Sequence, residues 1–250
     1  MDVPVEWPID ADTDVDADVE DLRVAVYRAL ASTGRVPPVE TLADTLGWPP
    51  DAVRTGLRAL HDARHVVVRP TADPRDRPAD GGTGIVLAHP FATGPFGFSV
   101  MGERTLWWGG CAWDSFAIPN LVVGEPQVLV STRCPACDRP LAWVVGRDAP
   151  PDGAEVAHFL VPVQHIWDDV VHTCGHQRLF CTGRCVDDWL ARTRNERGYV
   201  LDLPTLWRLA AHWYDGRLEH GYTRRDPSTA AAYFREVGLS GPFWGLEGPG

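Results

Sequence analysis

Lysine is absent from this chain and methionine occurs only twice, so all 23 basic residues are arginine. That bias reads as genomic composition rather than as a mechanism. No apolar run approaches the roughly 20 residues a bilayer-spanning helix needs. The acidic start Met1-Asp2-Val3-Pro4 lacks the basic and apolar regions of a secretory signal, so the expected location is the cytoplasm, with no membrane partner. A concentrated positive surface is missing as well: the net charge is −11, and phosphate contacts need clustered cations, which argues against a general nucleic-acid binder. There is no internal repeat. What remains is the composition of an ordinary soluble globular protein, 44% hydrophobic and 23% charged, with 250 residues to bury a core and hold two modest domains. Six cysteines in a reducing compartment point to metal binding or chemistry rather than to disulfides.

Residues 1–18, rich in Asp, Val and Pro without usable periodicity, read as a flexible acidic leader. Helical spacing begins with Leu22, Val26, Ala29 and Leu30 and stops at Gly34. A second helix is expected from Val39 to Leu46, with Glu40 in its first turn and Gly47 just past its end. Pro49-Pro50-Asp51 opens a third, carrying Val53, Leu57 and Leu60 inward, and His65-Val66-Val67-Val68 follows as a strand. Three helices and a strand over residues 19–82 have the pattern of a winged helix-turn-helix, ordinarily a DNA reader. Residues 1–70, however, carry seven arginines against thirteen acids, a net of −6, and lack a basic recognition face even with Arg54 and Arg58 on the third helix. The polar stretch 71–84 reads as a wing tip or interdomain linker.

Beyond it, Ile85–Ala88 and Phe96–Val100 are expected strands about a His89-Pro90 turn. Gln127–Ser131 and Leu141–Val145 form a hairpin with Cys134-Pro135-Ala136-Cys137 at its tip, and Glu155–Pro162 supplies another strand. Cys174 to Leu190 reads as a strand then a helix. Leu201–Arg208 and Pro227–Val237 read as a helical C-terminal cover whose Trp207, Trp213, Tyr214, Phe234 and Trp244 are core or cleft-covering. The expected fold class is α+β: an N-terminal winged-helix-like three-helix domain, then residues 83–250 as a mixed β-sheet domain under that cover.

The chemistry concentrates in Trp107-Trp108-Gly109-Gly110-Cys111-Ala112-Trp113-Asp114. Cysteine and aspartate three positions apart share one side of a helical turn, so the carboxylate can take or pass on a thiol proton. The two glycines are expected to allow unusual backbone shapes and close approach of a ligand, and the tryptophans to dry the site. Drying raises a lone thiol's pKa, so a thiolate here needs a partner.

Cys111-Ala112-Trp113-Asp114, followed by Phe116 and Pro119 and much later by Cys174 in His172-Thr173-Cys174-Gly175-His176, resembles the alkylmercury (organomercurial) lyase family. The resemblance runs from about Arg23 to about Leu190. It implies protonolysis of a carbon–mercury bond without an organic cofactor, Cys111 as nucleophile and mercury ligand, Asp114 as acid and base, and Cys174 as second thiolate. It also implies an organomercurial as substrate, and a hydrocarbon and Hg²⁺ as products, the ion passing to external thiols or a mercuric reductase. Members of the family begin with a helical domain packed on the catalytic part, so nucleic acid is not an expected partner; a homodimer is left open. Gly175 stands where the family often has a further cysteine. His172 and His176 flank Cys174, either to lower its pKa or add a metal ligand or, the preferred reading, as solvated or hydrogen-bonded strand residues.

Cys134-x-x-Cys137 and Cys181-x-x-x-Cys185 have the spacing of zinc knuckles and together form a candidate closed, structural four-thiolate zinc site. The competing readings are reduced turns and a mercury-collecting cluster, and these cysteines are outside the family's minimal catalytic set. The alternatives to the lyase are a thiol-based metal- or mercury-sensing regulator, which has no need of Asp114, and an enzyme of the same fold turned to another small molecule.

Overall fold

The computed structural model describes residues 17–69, 82–122 and 124–247. The expected acidic leader over 1–18 and the linker over 71–84 lie almost wholly outside them. Helix α1 (Ala17–Thr33) buries Leu22, Val26, Tyr27 and Leu30 along one stripe. It ends where Gly34 takes a φ of 70° and returns its N–H to the Leu30 carbonyl at 2.8 Å. Any Cβ at Gly34 would strike the Leu106 carbonyl oxygen, so this helix end is also a seat for the sheet. Helices α2 (Val39–Leu46) and α3 (Pro50–Asp62) follow, the first closed by left-handed Gly47 and the second opened by Pro50 at its first position. On α3 the Arg54 guanidinium turns to Asp51 and Glu40.

Strand β1 (Val67–Val68) pairs with β2 (Ile85–Ala88) and so joins the main sheet. Two strands carried no readable signal: β3 (Phe91–Ala92) is too short to show alternation, and β5 (Leu106–Gly109) runs straight into the cysteine helix. With β4 (Phe98–Met101), β6 (Gln127–Arg133) and β7 (Pro140–Gly146) they form a seven-stranded sheet ordered β1-β2-β3-β5-β4-β6-β7. Every pairing is antiparallel, which corrects the expectation of a mixed sheet while leaving the α+β class intact. The reason is the short connections: two residues join β2 to β3, whereas parallel neighbours need a crossover of about a dozen residues or more.

Helix α4 (Ala112–Leu121) lies on the inner face of this sheet and is buried on nearly all sides. Its far end is secured by Arg147, whose guanidinium donates to the Pro119 and Val122 carbonyls at 2.7 Å each, serving acceptors a helix end leaves open. A second sheet, ordered β10-β8-β9, consists of β8 (Val156–Phe159), β9 (Gln177–Phe180) and β10 (Tyr199–Asp202). Between β8 and β9 sits the short helix α5 (Val170–Gly175), which carries Cys174; the expected strand begins only after it. Helices α6 (Gly183–Thr193), α7 (Leu203–Ala211) and α8 (Pro227–Glu236) complete the chain, α7 packing directly on α4. Trp113 of α4 meets Phe159, Trp213, Phe234 and Trp244 in one aromatic cluster, so the C-terminal aromatics are chiefly core.

Candidate active site

Cys111 is the N-cap of α4, with extended backbone, and its sulfur accepts the Asp114 backbone N–H at 3.4 Å. The cysteine and aspartate are thus held together by a cap, not only by helical spacing. The two preceding glycines serve a purpose other than the expected one. Neither has a positive φ; a Cβ on Gly109 would strike the Ser115 side chain, and one on Gly110 the Asp114 carboxylate. They clear room for the helix's first turn. Ser115 uses that room to donate to the Cys111 carbonyl at 2.6 Å.

The Asp114 carboxylate is fully buried and held from two sides. The Tyr214 hydroxyl donates to Oδ1 at 2.5 Å, and His89 Nδ1 contacts Oδ2 at 3.0 Å. His89 comes from the turn after β2 and also reaches the Cys174 sulfur, 4.0 Å from Nδ1. Burial opposes a charge on His89, but Asp114 and Cys174 outweigh it and raise the imidazole to about 10. It therefore sits as a cation between a carboxylate and a sulfur. Tyr214, buried beside Asp114, is pushed well above the usual phenol value and remains a donor.

The two sulfurs divide their roles. Cys174 is lowered because the Cys111 thiol hydrogen-bonds to it and, against burial, because His89 faces it. Cys111 moves the other way: burial, the bond it gives to Cys174, and the neighbouring Asp114 keep its proton on. The two sulfurs, 63 positions apart in the chain, thus meet beside the Asp114 carboxyl group, with Cys174 the more readily ionised of the pair. All three opening candidates, Cys111, Asp114 and Cys174, line one cleft of about 100 Å³.

Among the described residues, His172 and His176 make no hydrogen bond to the Cys174 sulfur. Their rings stack on each other 4.0 Å apart, and His176 Nδ1 contacts the His172 carbonyl. The histidine that does is His89, 85 residues earlier, which no local spacing could disclose. Tyr214 escaped for the same reason, and so did three arginines of the same cleft, Arg217, Arg224 and Arg225.

Cys134, Cys137, Cys181 and Cys185 form a separate cluster whose sulfurs all lie within 4.8 Å of one another, with Cys137 and Cys181 at 3.6 Å. The β6–β7 turn supplies the first two. The junction from β9 to α6 supplies the others, Cys185 entering the helix behind a Thr182 cap. The Cys134 thiol is drawn down to about 7: burial opposes this, but backbone N–H groups of Cys181, Cys137 and Ala136 point at its sulfur. Cys181 is pushed up to about 12 by burial and by its contacts with the Cys137 and Cys134 sulfurs.

Two cysteines facing each other beside a buried aspartate, on an antiparallel sheet beneath helices, make a site with the donor set for a soft electrophile. The chain belongs to the alkylmercury lyase family, whose sequence profile matches residues 91–215, half of its length, and spans all three of Cys111, Asp114 and Cys174. In fold it is similar to the mercury-bound form of MerB2, with a TM-score of 0.58 and 15% identity over 81% of this chain and 91% of the other. No curated protein matches the chain in sequence.

Proposed function

We propose that the protein is an organomercurial lyase that cleaves the carbon–mercury bond by protonolysis at Cys111, Cys174 and Asp114. The observation that carries this reading is the convergence of Cys111, Asp114 and Cys174 on one buried cleft, where the Cys111 sulfur takes the Asp114 backbone N–H and His89 reaches both Asp114 and Cys174. The Cys174 thiolate attacks mercury in R–Hg–X and expels X⁻. The Cys111 thiol gives its proton to Asp114 as its sulfur bonds the metal, and two thiolates on mercury push electron density toward carbon. Asp114 then protonates that carbon. R–H leaves, and Hg²⁺ remains between the two sulfurs. One thiolate and one thiol supply both ligands and the single proton the reaction consumes, so no further acid is required. Tyr214 and His89 orient the carboxylate, with His89 also favouring the thiolate form of Cys174. The ion then passes to external thiols or a mercuric reductase.

The test is benzene release from phenylmercury by the wild type, Asp114→Ala and Cys174→Ser. Activity confined to the wild type is expected, with losses of at least a hundredfold in each variant; equal yields in all three would remove the mechanism. A regulator draws no support from the geometry, since sensing has no use for a carboxylate clamped beside two thiols.

The Cys134, Cys137, Cys181 and Cys185 cluster is proposed to hold a structural zinc ion. The donors suit it: four sulfurs at mutual reach, one of them already receiving backbone N–H groups, leave no open coordination position.

A further inference from the structure

The cleft that holds the reacting groups also holds more positive charge than they need. Among the described residues Asp114 is the only carboxylate lining it, and both its oxygens are engaged, by Tyr214 and His89. Arg217, Arg224 and Arg225 line the same cleft. Arg217 is buried, and its two terminal nitrogens donate to the Tyr27 and Tyr222 hydroxyls and the His65 carbonyl. Arg225 donates to the His212 carbonyl and lies over Tyr233. Arg224 makes no ion pair and no hydrogen bond with any described residue; its guanidinium rests over the Trp167 ring, 5.1 Å from the centroid. Half-burial and the nearby Arg217 and Arg64 lower it to about 10, so it is still a cation at neutral pH, with its donors unspent. A guanidinium in such a place is a two-pronged site for a carboxylate. All three arginines follow residue 215, where the family match ends.

We infer that this cleft selects organomercurials that present a carboxylate, received by Arg224 with Arg225 beside it while mercury reaches Cys174 and Cys111. This rests on the lyase reading and names the substrate class within it. The carboxylate has two chemical sources. It can sit on the organic group, as in a mercurated benzoate, or on the small thiol that carries the mercurial, R′S–Hg–R. In the second case Cys174 forms its sulfur–mercury bond as the R′S–Hg bond breaks, and R′S⁻ departs with the electron pair and its carboxylate.

The full chain is assayed for kcat/KM on three substrates. These are phenylmercury carried by cysteamine, which has no carboxylate; 4-carboxyphenylmercury carried by cysteamine; and phenylmercury carried by cysteine. A charge-assisted contact is worth about a tenfold preference or more for at least one carboxylated form. In Arg224→Gln, which has no hydrogen bond to lose on folding, that ratio is expected to fall to about one. The favoured arm tells whether the ring or the carrier thiol bears the recognised group. Benzoate is also expected to compete with phenylmercury at least tenfold better than neutral benzamide in the wild type, a comparison that needs no variant. Equal kcat/KM across the three substrates, a preference that survives Arg224→Gln, or equal competition by benzoate and benzamide overturns the inference while leaving the lyase intact. Absence of turnover on all three overturns the lyase reading itself.

Discussion

His89 is a single imidazole that two reacting groups share, and its removal separates their contributions. With the cation gone, Cys174 loses one of the two influences that favour its thiolate. Thiolate absorbance at 240 nm in the wild type is expected to titrate below the ordinary thiol value of about 8.5, so the form that attacks mercury is present above that lowered pKa and is lost as pH falls through it. In His89→Gln the titration moves upward, and kcat/KM at pH 7 drops about tenfold while recovering at higher pH. An unchanged titration would show that Cys111 alone sets the state of Cys174. Gly110→Ala tests the geometry from the other side: its methyl group would meet the carboxylate, and a hundredfold loss of turnover is expected together with an overpacking cost of about 1–3 kcal/mol, read as a lower Tm. Cys111, Asp114 and Cys174 were legible because the residue types and their order sit in a recognisable motif. His89 and Tyr214 were not, since each meets Asp114 across 25 and 100 positions respectively, and only the folded sheet and cover bring them there. The role of the two glycines is not legible in the same way, because steric clearance for a side chain four to six residues on leaves no mark in backbone preference.

At the scale of elements, the four-sulfur cluster ties the β6–β7 hairpin to the β9–α6 junction. If it holds zinc, metal analysis of the purified chain returns about one ion per molecule. Chelation or Cys134→Ser then loosens the hairpin tip; a cost of about 2 kcal/mol corresponds to a Tm lower by about 4–8 °C for a chain of this size. A metal-free chain with the same Tm would leave the cysteines as ordinary turn residues. Helices were read well here because their apolar stripes and stops are local: α2 has the bounds its Glu40 and Gly47 suggested, and α3 starts at Pro50. Short elements fared worse. A two-residue strand such as β3 has no period, and α5 is a single turn and a half capped by Asp169, recognisable only once the cap is seen.

At the scale of the whole molecule, the first helix reaches the reaction site without touching it. Fully buried Arg23 of α1 donates to the Arg217 carbonyl at 2.7 Å and to the Glu219 carbonyl at 2.5 Å, and Tyr27 accepts from Arg217 at 2.8 Å. The segment so gripped begins at Tyr214, the residue that holds Asp114. Arg23→Ala leaves Glu20 and two carbonyls without their donor, a loss of about 3–5 kcal/mol if the break is as costly as that of other buried pairs. The same substitution is expected to lower kcat/KM on phenylmercury about tenfold at temperatures where the fold persists, read from turnover beside a melting curve. Full turnover at those temperatures would mean that the cover holds Tyr214 without help from α1.

Such a grip makes the amino-terminal helices a foundation and not an appendage. Fusing a bulky tag near α1, trimming the chain back toward α2, or exchanging this segment for that of a distant cousin would blunt the chemistry through a tyrosine some two hundred positions downstream, well before the molecule came apart.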